Sequence, residues 1–405
     1  MKALMLYIHI PFCVKKCAYC DFLSGPAGAK EINRYVTALC QEINAYRDQA
    51  EAYEVDSIFF GGGTPSMINE EQITKIVTQI QSAFKIKEDA EITIECNPGT
   101  VTREKLIRYK ELGINRLSFG LQSADNQELK HLGRIHSYET FLENYGLARE
   151  LGFNNINVDL MSALPGQTKE SYCETLTKII GLQPEHISAY SLILEEGTPF
   201  YEMYGEEGLY KDAIPSEEVD REMYHETKRM LQEAGYERYE ISNYAKKGYA
   251  CRHNVGYWRR REYLGLGLGA SSLINKERFH NTEDMEKYQE ACSKFGEESS
   301  ILYNSSKFGE VSRNLYNIRE ENQKLSTDEE MEEFMFLGLR LSNGIGLQEF
   351  EDTFAQSMDE VYGEVIQKLK KEQLIAISEG RMYLTEVGMD VSNYVFSEFL
   401  LNNDE

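Results

Sequence analysis

Short apolar runs alternate with stretches of helical period through the first half of the chain. The runs cover 4–10, 57–60, 91–95, 116–119, 155–160 and 186–191. Each has a strand's length, and turn residues flank them. Helical patterns fill the gaps at 30–46, 70–84, 103–112, 138–151 and 169–182, and a sixth, 216–234, follows the last run. Alternation of this kind predicts a parallel sheet with helices packed outside it. Six units are too few to close an eightfold barrel. The expected fold is therefore α/β, a partial (β/α)6 barrel resembling an open TIM barrel, over residues 1–236. The punctuation agrees. Thr102 and Ser216 offer N-caps ahead of acidic first turns, and Gly113, Gly152 and Gly235 fall where helices should stop. The string Leu-Gly-Ile/Phe-Asn at 112–115 and 151–154 reads as one helix-to-strand loop used twice.

Beyond residue 236 the pattern breaks. Residues 237–328 read as a connecting region rich in Tyr and Gly, with a polar insertion over 291–328. Residues 329–405 read as a smaller C-terminal domain. Amphipathic helices at 332–341 and 358–372, a hairpin around Gly380 and a last helix at 387–401 suggest a helical, winged-helix-like module. Its acidity marks it as a packing or lid element rather than a DNA reader.

The 405 residues are 41% hydrophobic and 27% charged, with a net charge of −24. That charge repels nucleic acid and anionic lipid. No run reaches the roughly 20 apolar residues that a membrane span needs. The apolar start lacks a small-residue cleavage site. A cytoplasmic protein with no integral membrane segment is expected, and in that compartment thiols stay reduced.

That makes the cysteines informative. Of eight, three cluster as Cys13-Val-Lys-Lys-Cys17-Ala-Tyr-Cys20 directly after the first strand. A loop of this size can wrap one inorganic centre, and thiolates are the usual ligands of iron–sulfur clusters. Three ligands leave one iron of a four-iron cluster free. Zinc is the rival, with His9 as a fourth ligand four residues ahead. Cys40, Cys96, Cys173, Cys251 and Cys292 are scattered and read as small buried hydrophobes or idle thiols.

Other candidates sit where strands end, the ligand-binding edge of α/β barrels. The glycines of Gly61-Gly62-Gly63-Thr64-Pro65 end the second strand and permit close backbone approach. Glu95 ends the third strand, Gln122 follows the fourth, Asp159 lies near the end of the fifth and Ser191 ends the sixth. A buried acid there needs a partner such as a ribose or an amino group. Arg134 offers a fork for a carboxylate, or is a surface arginine. Leu164-Pro-Gly-Gln-Thr168 is adequately read as a turn into a helix cap.

The C-x3-C-x2-C loop with an aromatic before its last Cys resembles the signature of the radical S-adenosylmethionine superfamily. In that superfamily the amino and carboxylate groups of S-adenosylmethionine chelate the open iron, and one electron from the cluster cleaves a carbon–sulfur bond. The glycine motif matches the one that binds the methionine amino group. Further stretches resemble the branch related to coproporphyrinogen III oxidase: Tyr7-Ile-His-Ile-Pro-Phe-Cys13, Ile94-Glu-Cys-Asn-Pro98, Gly120-Leu-Gln-Ser123, Gly133-Arg134, Tyr239-Glu-Ile-Ser-Asn-Tyr244 and Phe334–Leu341. By this resemblance Tyr7, Tyr19, Gly62, Gly63, Thr64, Glu95, Gln122, Arg134 and Asp159 contact S-adenosylmethionine. Ser191 joins them as a strand-end candidate. Cys13, Cys17 and Cys20 hold a [4Fe-4S] cluster.

Two features choose within the branch. The oxygen-independent oxidase carries a further Cys two residues after the third ligand, and here that position is Phe22. His253-Asn-Val-Gly-Tyr257-Trp258 resembles the H-N-x-x-Y-W motif of the branch's heme chaperones, in which His253, Tyr257 and Trp258 would hold heme, with Arg252, Arg259 and Arg260 placed for its propionates. The residue-level rival is an aromatic loop packed on the barrel rim. The resemblance implies a heme chaperone that delivers heme to recipient hemoproteins and takes electrons from a donor protein. The alternatives are an oxygen-independent coproporphyrinogen III oxidase or another porphyrin-directed radical enzyme, such as a methyltransferase or cyclopropanase. For a homodimer, or a brief contact with a membrane surface, the sequence offers no dedicated segment.

Overall fold

The computed structural model describes residues 1–294 and 317–401. Most of the predicted polar insertion, 295–316, lies outside the described residues, as do 402–405. The chain divides into two compact units: Met1–Met230 with Glu262–Gln323, and Leu231–Arg261 with Lys324–Glu405. Residues 237–328 thus form no unit of their own and are shared between both.

The first unit is the predicted α/β barrel fragment. Strands β1 (Lys2–Ile10), β2 (Tyr53–Gly62), β3 (Ile86–Cys96), β4 (Arg116–Gln122), β5 (Ile156–Ser162) and β6 (His186–Ser191) lie side by side in chain order. Every neighbouring pair is parallel. Helices Ala29–Ala45, Glu70–Ala83, Arg103–Glu111, Tyr138–Glu150 and Lys169–Leu182 connect them. Four of these starts carry side-chain caps: Thr102, as expected, and Ser137 accept from the backbone of the first turn, and Asn69 and Thr168 form capping boxes. Gly113 and Gly152 take positive φ of 85° and 80° in the two matching helix-to-strand loops, and Ile114 and Phe153 drop into the core behind them.

The sheet also grows from the free edge of β1. Tyr263–Leu266 (β9) pairs parallel to it, Met5 facing Tyr263. Ser271–Ile274 (β10) pairs antiparallel with β9, and Glu277–Asn281 (β11) antiparallel with β10. Arg319–Lys324 (β12) follows at the edge. A parallel strand at this edge satisfies the backbone groups that β1 would otherwise leave open.

Residues alternate along each barrel strand in a particular sense. Leu117, Phe119, Leu121, Ile156, Val158 and Leu160 are fully buried, on the face the helices cover. The other face carries polar residues that are equally buried: Arg116, Ser118, Asn157, His186 and Ser188, none more than 4% exposed.

In the second unit, helices Thr327–Gly338, Leu347–Phe354 and Met358–Lys371 surround a core that includes Met335, Leu339, Phe350, Tyr362 and Phe399. A three-stranded sheet runs in the order Ile345–Gly346 (β13), Arg381–Leu384 (β15), Ile375–Ser378 (β14). The succession helix, strand, helix, helix, hairpin is winged-helix-like. Ser326 and Ser357 start two of its helices with capping boxes. The same unit holds the short hairpin Glu237–Arg238 (β7) and Asn243–Ala245 (β8) and the helix Arg252–Trp258.

Candidate cofactor-binding site

The cysteine loop leaves β1 and is tied down at several backbone points. Cys13 N donates to Gly25 O at 3.0 Å and Gly25 N returns to Pro11 O at 3.0 Å. Farther along, Ala18 N donates to Leu132 O at 3.2 Å and Phe200 N to Ala18 O at 3.0 Å. Cys13 is buried, while Cys17 and Cys20 are half-buried. Lys15, Cys17, Cys20, Gly133 and Thr198 line a surface pocket beside the loop. Burial pushes the Cys13 and Cys20 thiols upward, so metal coordination is what would deprotonate them.

The zinc alternative loses its fourth ligand. Both nitrogens of His9 are engaged, Nδ1 with the Tyr7 hydroxyl at 3.0 Å and Nε2 with Leu23 O at 3.0 Å. Among the described residues, no three His, Cys, Asp or Glu side chains converge on a single-ion site. A four-iron cube holds its thiolates farther apart than one ion does.

The glycine turn abuts this loop. Gly63 N donates to Ile10 O at 2.9 Å and Thr64 N to Phe12 O at 2.7 Å. A Cβ at Gly62, where φ is +115°, would lie 2.7 Å from the His9 ring, and one at Gly63 would lie 2.7 Å from Phe12 O. A backbone oxygen cannot move aside cheaply. Gly63→Ala is therefore expected to destabilise the protein by about 1–3 kcal/mol and to displace the cysteine loop. Thermal denaturation together with iron retained after reconstitution checks this.

Around the turn the strand ends assemble. Glu95, half-buried, accepts from the Gly62 N–H. Burial and the neighbouring Asp159 raise its carboxyl to about 8. Burial raises Asp159 too, against hydrogen bonds from Asn157, Ser188 and Ser118. The Tyr7 hydroxyl is held far above its usual range by burial and by Glu95. Thr64 Oγ1 accepts from Asn97 Nδ2 at 2.9 Å. Arg134 spans the rim: Nη2 donates to Asn97 Oδ1 and Gly120 O, and Nη1 lies 3.6 Å from Cys17 Sγ. Its Nε is buried without a hydrogen-bond partner. Gln122 adopts a positive φ of 75° where β4 slips register against β5, local strain of the kind that clusters at ligand sites. Tyr19 packs on Phe200 with ring centroids 6.2 Å apart.

The donor set therefore fits the implied groups: three thiols on one anchored loop, a turn that excludes Cβ atoms, two raised carboxyls and an arginine with an orphaned buried N–H. Ser191 differs. It is exposed, and its hydroxyl donates to both Asp220 oxygens at 2.6 Å. The Leu164–Thr168 turn keeps its structural role, with Gln167 Nε2 donating to the buried Glu128 at 2.9 Å.

His253, Tyr257 and Trp258 belong to the second unit. His253 is only 2% exposed, and its Nε2 lies 3.0 Å from the Tyr257 hydroxyl one helical turn on. Trp258 lies beneath the Arg340 guanidinium at 4.4 Å from the ring centroid, its buried Nε1 without a hydrogen-bond partner. Arg260 is not available for propionates: Nε reaches Glu333 at 3.0 Å and Nη2 reaches Glu330 at 3.5 Å, both acids buried. Arg252 and Arg259 are exposed. Among the described residues no helix is long and apolar enough to cross a membrane.

Comparison with known proteins agrees with this architecture. The Radical SAM superfamily profile matches residues 7–179 and the HemN C-terminal domain profile matches 325–391. In fold the chain resembles the coproporphyrinogen III oxidase HemN of Escherichia coli, a radical SAM enzyme, with a TM-score of 0.82 over 98% of this chain and 90% of that one at 23% identity. These matches define the class: a radical SAM protein with a HemN-type C-terminal domain. Among curated relatives, the heme chaperone HemW of Bacillus subtilis is 35% identical over 97% of this chain and 98% of its own length. HemW of Escherichia coli is 39% identical over 68% and 71%. The chain belongs to the heme chaperone HemW family.

Proposed function

We propose that this chain is a cytoplasmic heme chaperone. It holds a [4Fe-4S] cluster on Cys13, Cys17 and Cys20, S-adenosylmethionine against the strand ends, and heme at the His253 motif for transfer to hemoproteins. The observation that carries the reading is the anchored cysteine loop closing on the glycine turn, in a chain related end to end to HemW. When bound, the cluster supplies an electron to the sulfonium of S-adenosylmethionine. The protein's part is to bind and orient. The Gly61–Thr64 turn and Glu95 receive the methionine amino end, the unpartnered Nε–H of Arg134 its carboxylate, and Asp159 and Gln122 the nucleoside.

Heme ligation by His253 requires its Nε2 to leave the Tyr257 hydroxyl, so binding includes a rotation of Tyr257. Phe22, 63% exposed where the oxidase has its additional Cys, is the reason to expect little porphyrinogen decarboxylation. The test is spectroscopic. Anaerobically reconstituted protein is titrated with one equivalent of hemin, wild type beside His253→Ala. A shifted Soret band in the wild type, weakened about tenfold or more in affinity by the substitution, is expected for loss of an axial ligand. A cluster-loaded wild type that takes up no heme overturns the chaperone reading and directs attention to porphyrinogen turnover.

A further inference from the structure

The polar side chains inside the barrel are connected, and the connection ends on Asp159. Ser118, Asn157 and His186 face one another across β4, β5 and β6, Ser118 opposite Asn157 and Asn157 opposite His186. The Asn157 side-chain amide is the hub. Its Oδ1 lies 2.6 Å from His186 Nδ1 and accepts from Ser188 Oγ at 3.1 Å. Its Nδ2 donates to Ser118 Oγ at 2.7 Å and to Asp159 Oδ1 at 2.7 Å. Ser118 Oγ in turn donates to the other carboxylate oxygen, Asp159 Oδ2, at 3.1 Å.

Each oxygen of Asp159 therefore has a donor from the layer beneath. The directions in this network are determined. An amide oxygen only accepts, so His186 must carry its proton on Nδ1. Burial and the Arg116 charge keep that imidazole neutral. A flipped amide would set Oδ1 against Asp159, whose oxygens in the ionised carboxylate can only accept. Nδ2 is thereby obliged to point at Ser118 and Asp159. Asn157 and His186 are 2% and 1% exposed, so they touch no ligand themselves.

We infer that His186, Asn157 and Ser118 form a positioning relay that fixes the rotamer of Asp159 and leaves the carboxylate's remaining lone pairs aimed at the nucleoside hydroxyls of S-adenosylmethionine. A buried polar network is worth more than its separate bonds when every member is satisfied, and preorganisation of this kind shows up as ligand affinity. The inference rests on the S-adenosylmethionine reading above.

A double-mutant cycle tests it, with S-adenosylhomocysteine as the probe and calorimetry on the reconstituted full chain as the readout. Asn157→Ala is expected to weaken binding about tenfold in the wild-type background and less than twofold in Asp159→Ala, because a positioning residue has nothing left to position there. A general packing defect would weaken both backgrounds alike, and that result overturns the relay. Ser118→Ala, a smaller perturbation of the same network, runs the same cycle should Asn157→Ala fail to fold. It is expected to give about threefold in the wild-type background and none in Asp159→Ala. A wild type that does not bind the probe instead overturns the S-adenosylmethionine reading itself.

Discussion

Cys17→Ser is expected to abolish stable cluster assembly and to lower affinity for S-adenosylhomocysteine at least about 100-fold, with little change in folding. Each part of that expectation has a structural reason. Cys17 is half-buried on a loop rather than in the core, and serine is nearly isosteric, so the barrel keeps its packing. The loop's backbone anchors, from Ala18 to Leu132 and from Phe200 to Ala18, do not involve the thiol. What is lost is the ligand that lies against Arg134, whose Nη1 is 3.6 Å from Cys17 Sγ. Serine is a poor ligand for iron at neutral pH, and two remaining thiolates leave the cluster under-coordinated. Iron and sulfide analysis after anaerobic reconstitution, with the spin-resonance spectrum of the reduced protein, measures the loss. Cys173→Ser, at a half-buried helical thiol, is the control and should retain the full cluster. A Cys17→Ser protein with wild-type iron content would refute the ligand assignment.

The barrel was legible because its periodicities are clean. The helix Lys169–Leu182 and the strand His186–Ser191 coincide with the segments read from sequence, and the other barrel elements differ only at their ends. The candidate site stood out in the sequence where its residues carry rare chemistry: three spaced thiols, a glycine run, acids after strands. What was not legible followed from where the strands' polar faces point. Asn157-Val-Asp-Leu alternates like any half-exposed strand, which ordinarily turns its polar face to water. Here the helices cover the apolar face, so the polar one faces the barrel interior and places Ser118, Asn157 and His186 beneath Asp159. The signal was present in the alternation, and reading it required deciding which face the helices take. The short helix Asn126–His131, which sets the position of Arg134, escaped because six residues give no periodicity. Its marker was Asp125, whose Oδ1 caps Gln127 N at 2.6 Å. His253 illustrates the converse. The motif reads as an open ligand, yet a four-residue spacing on one helix brings the Tyr257 hydroxyl onto its Nε2.

Glu95→Gln should raise stability and lower ligand affinity together, each with its own pH dependence. Burial and the charge of Asp159 lift the Glu95 carboxyl to about 8, while the Gly62 N–H and the charge of Arg116 oppose the lift. The folded protein therefore holds this proton more tightly than the unfolded chain, in which the carboxyl titrates near its ordinary value of about 4.3. Stability from this group is full below about pH 4 and is lost as pH rises toward 8, since across that window the native state binds more protons than the unfolded one. The neutral isostere escapes the loss. Its advantage over wild type should be near zero at pH 4.5, grow through the neutral range and level off above pH 8 at about 2 kcal/mol, a figure reduced for the partial exposure of the side chain to the cavity. Binding runs the other way. A methionine ammonium is received best by the ionised carboxylate, so wild-type affinity for S-adenosylhomocysteine should rise about tenfold between pH 6.5 and 8.5. That of Glu95→Gln should stay flat and, at the upper end, lie about tenfold or more below the wild type. Melting curves and calorimetric titrations at the same set of pH values give both profiles on one pair of proteins. Parallel affinity profiles would show that Glu95 does not face the ligand's charged end, even if the stability curves diverge as expected. Converging stability curves would show instead that Asp159, whose carboxyl is also raised, holds the shared proton, and then Asp159→Asn should produce the divergence.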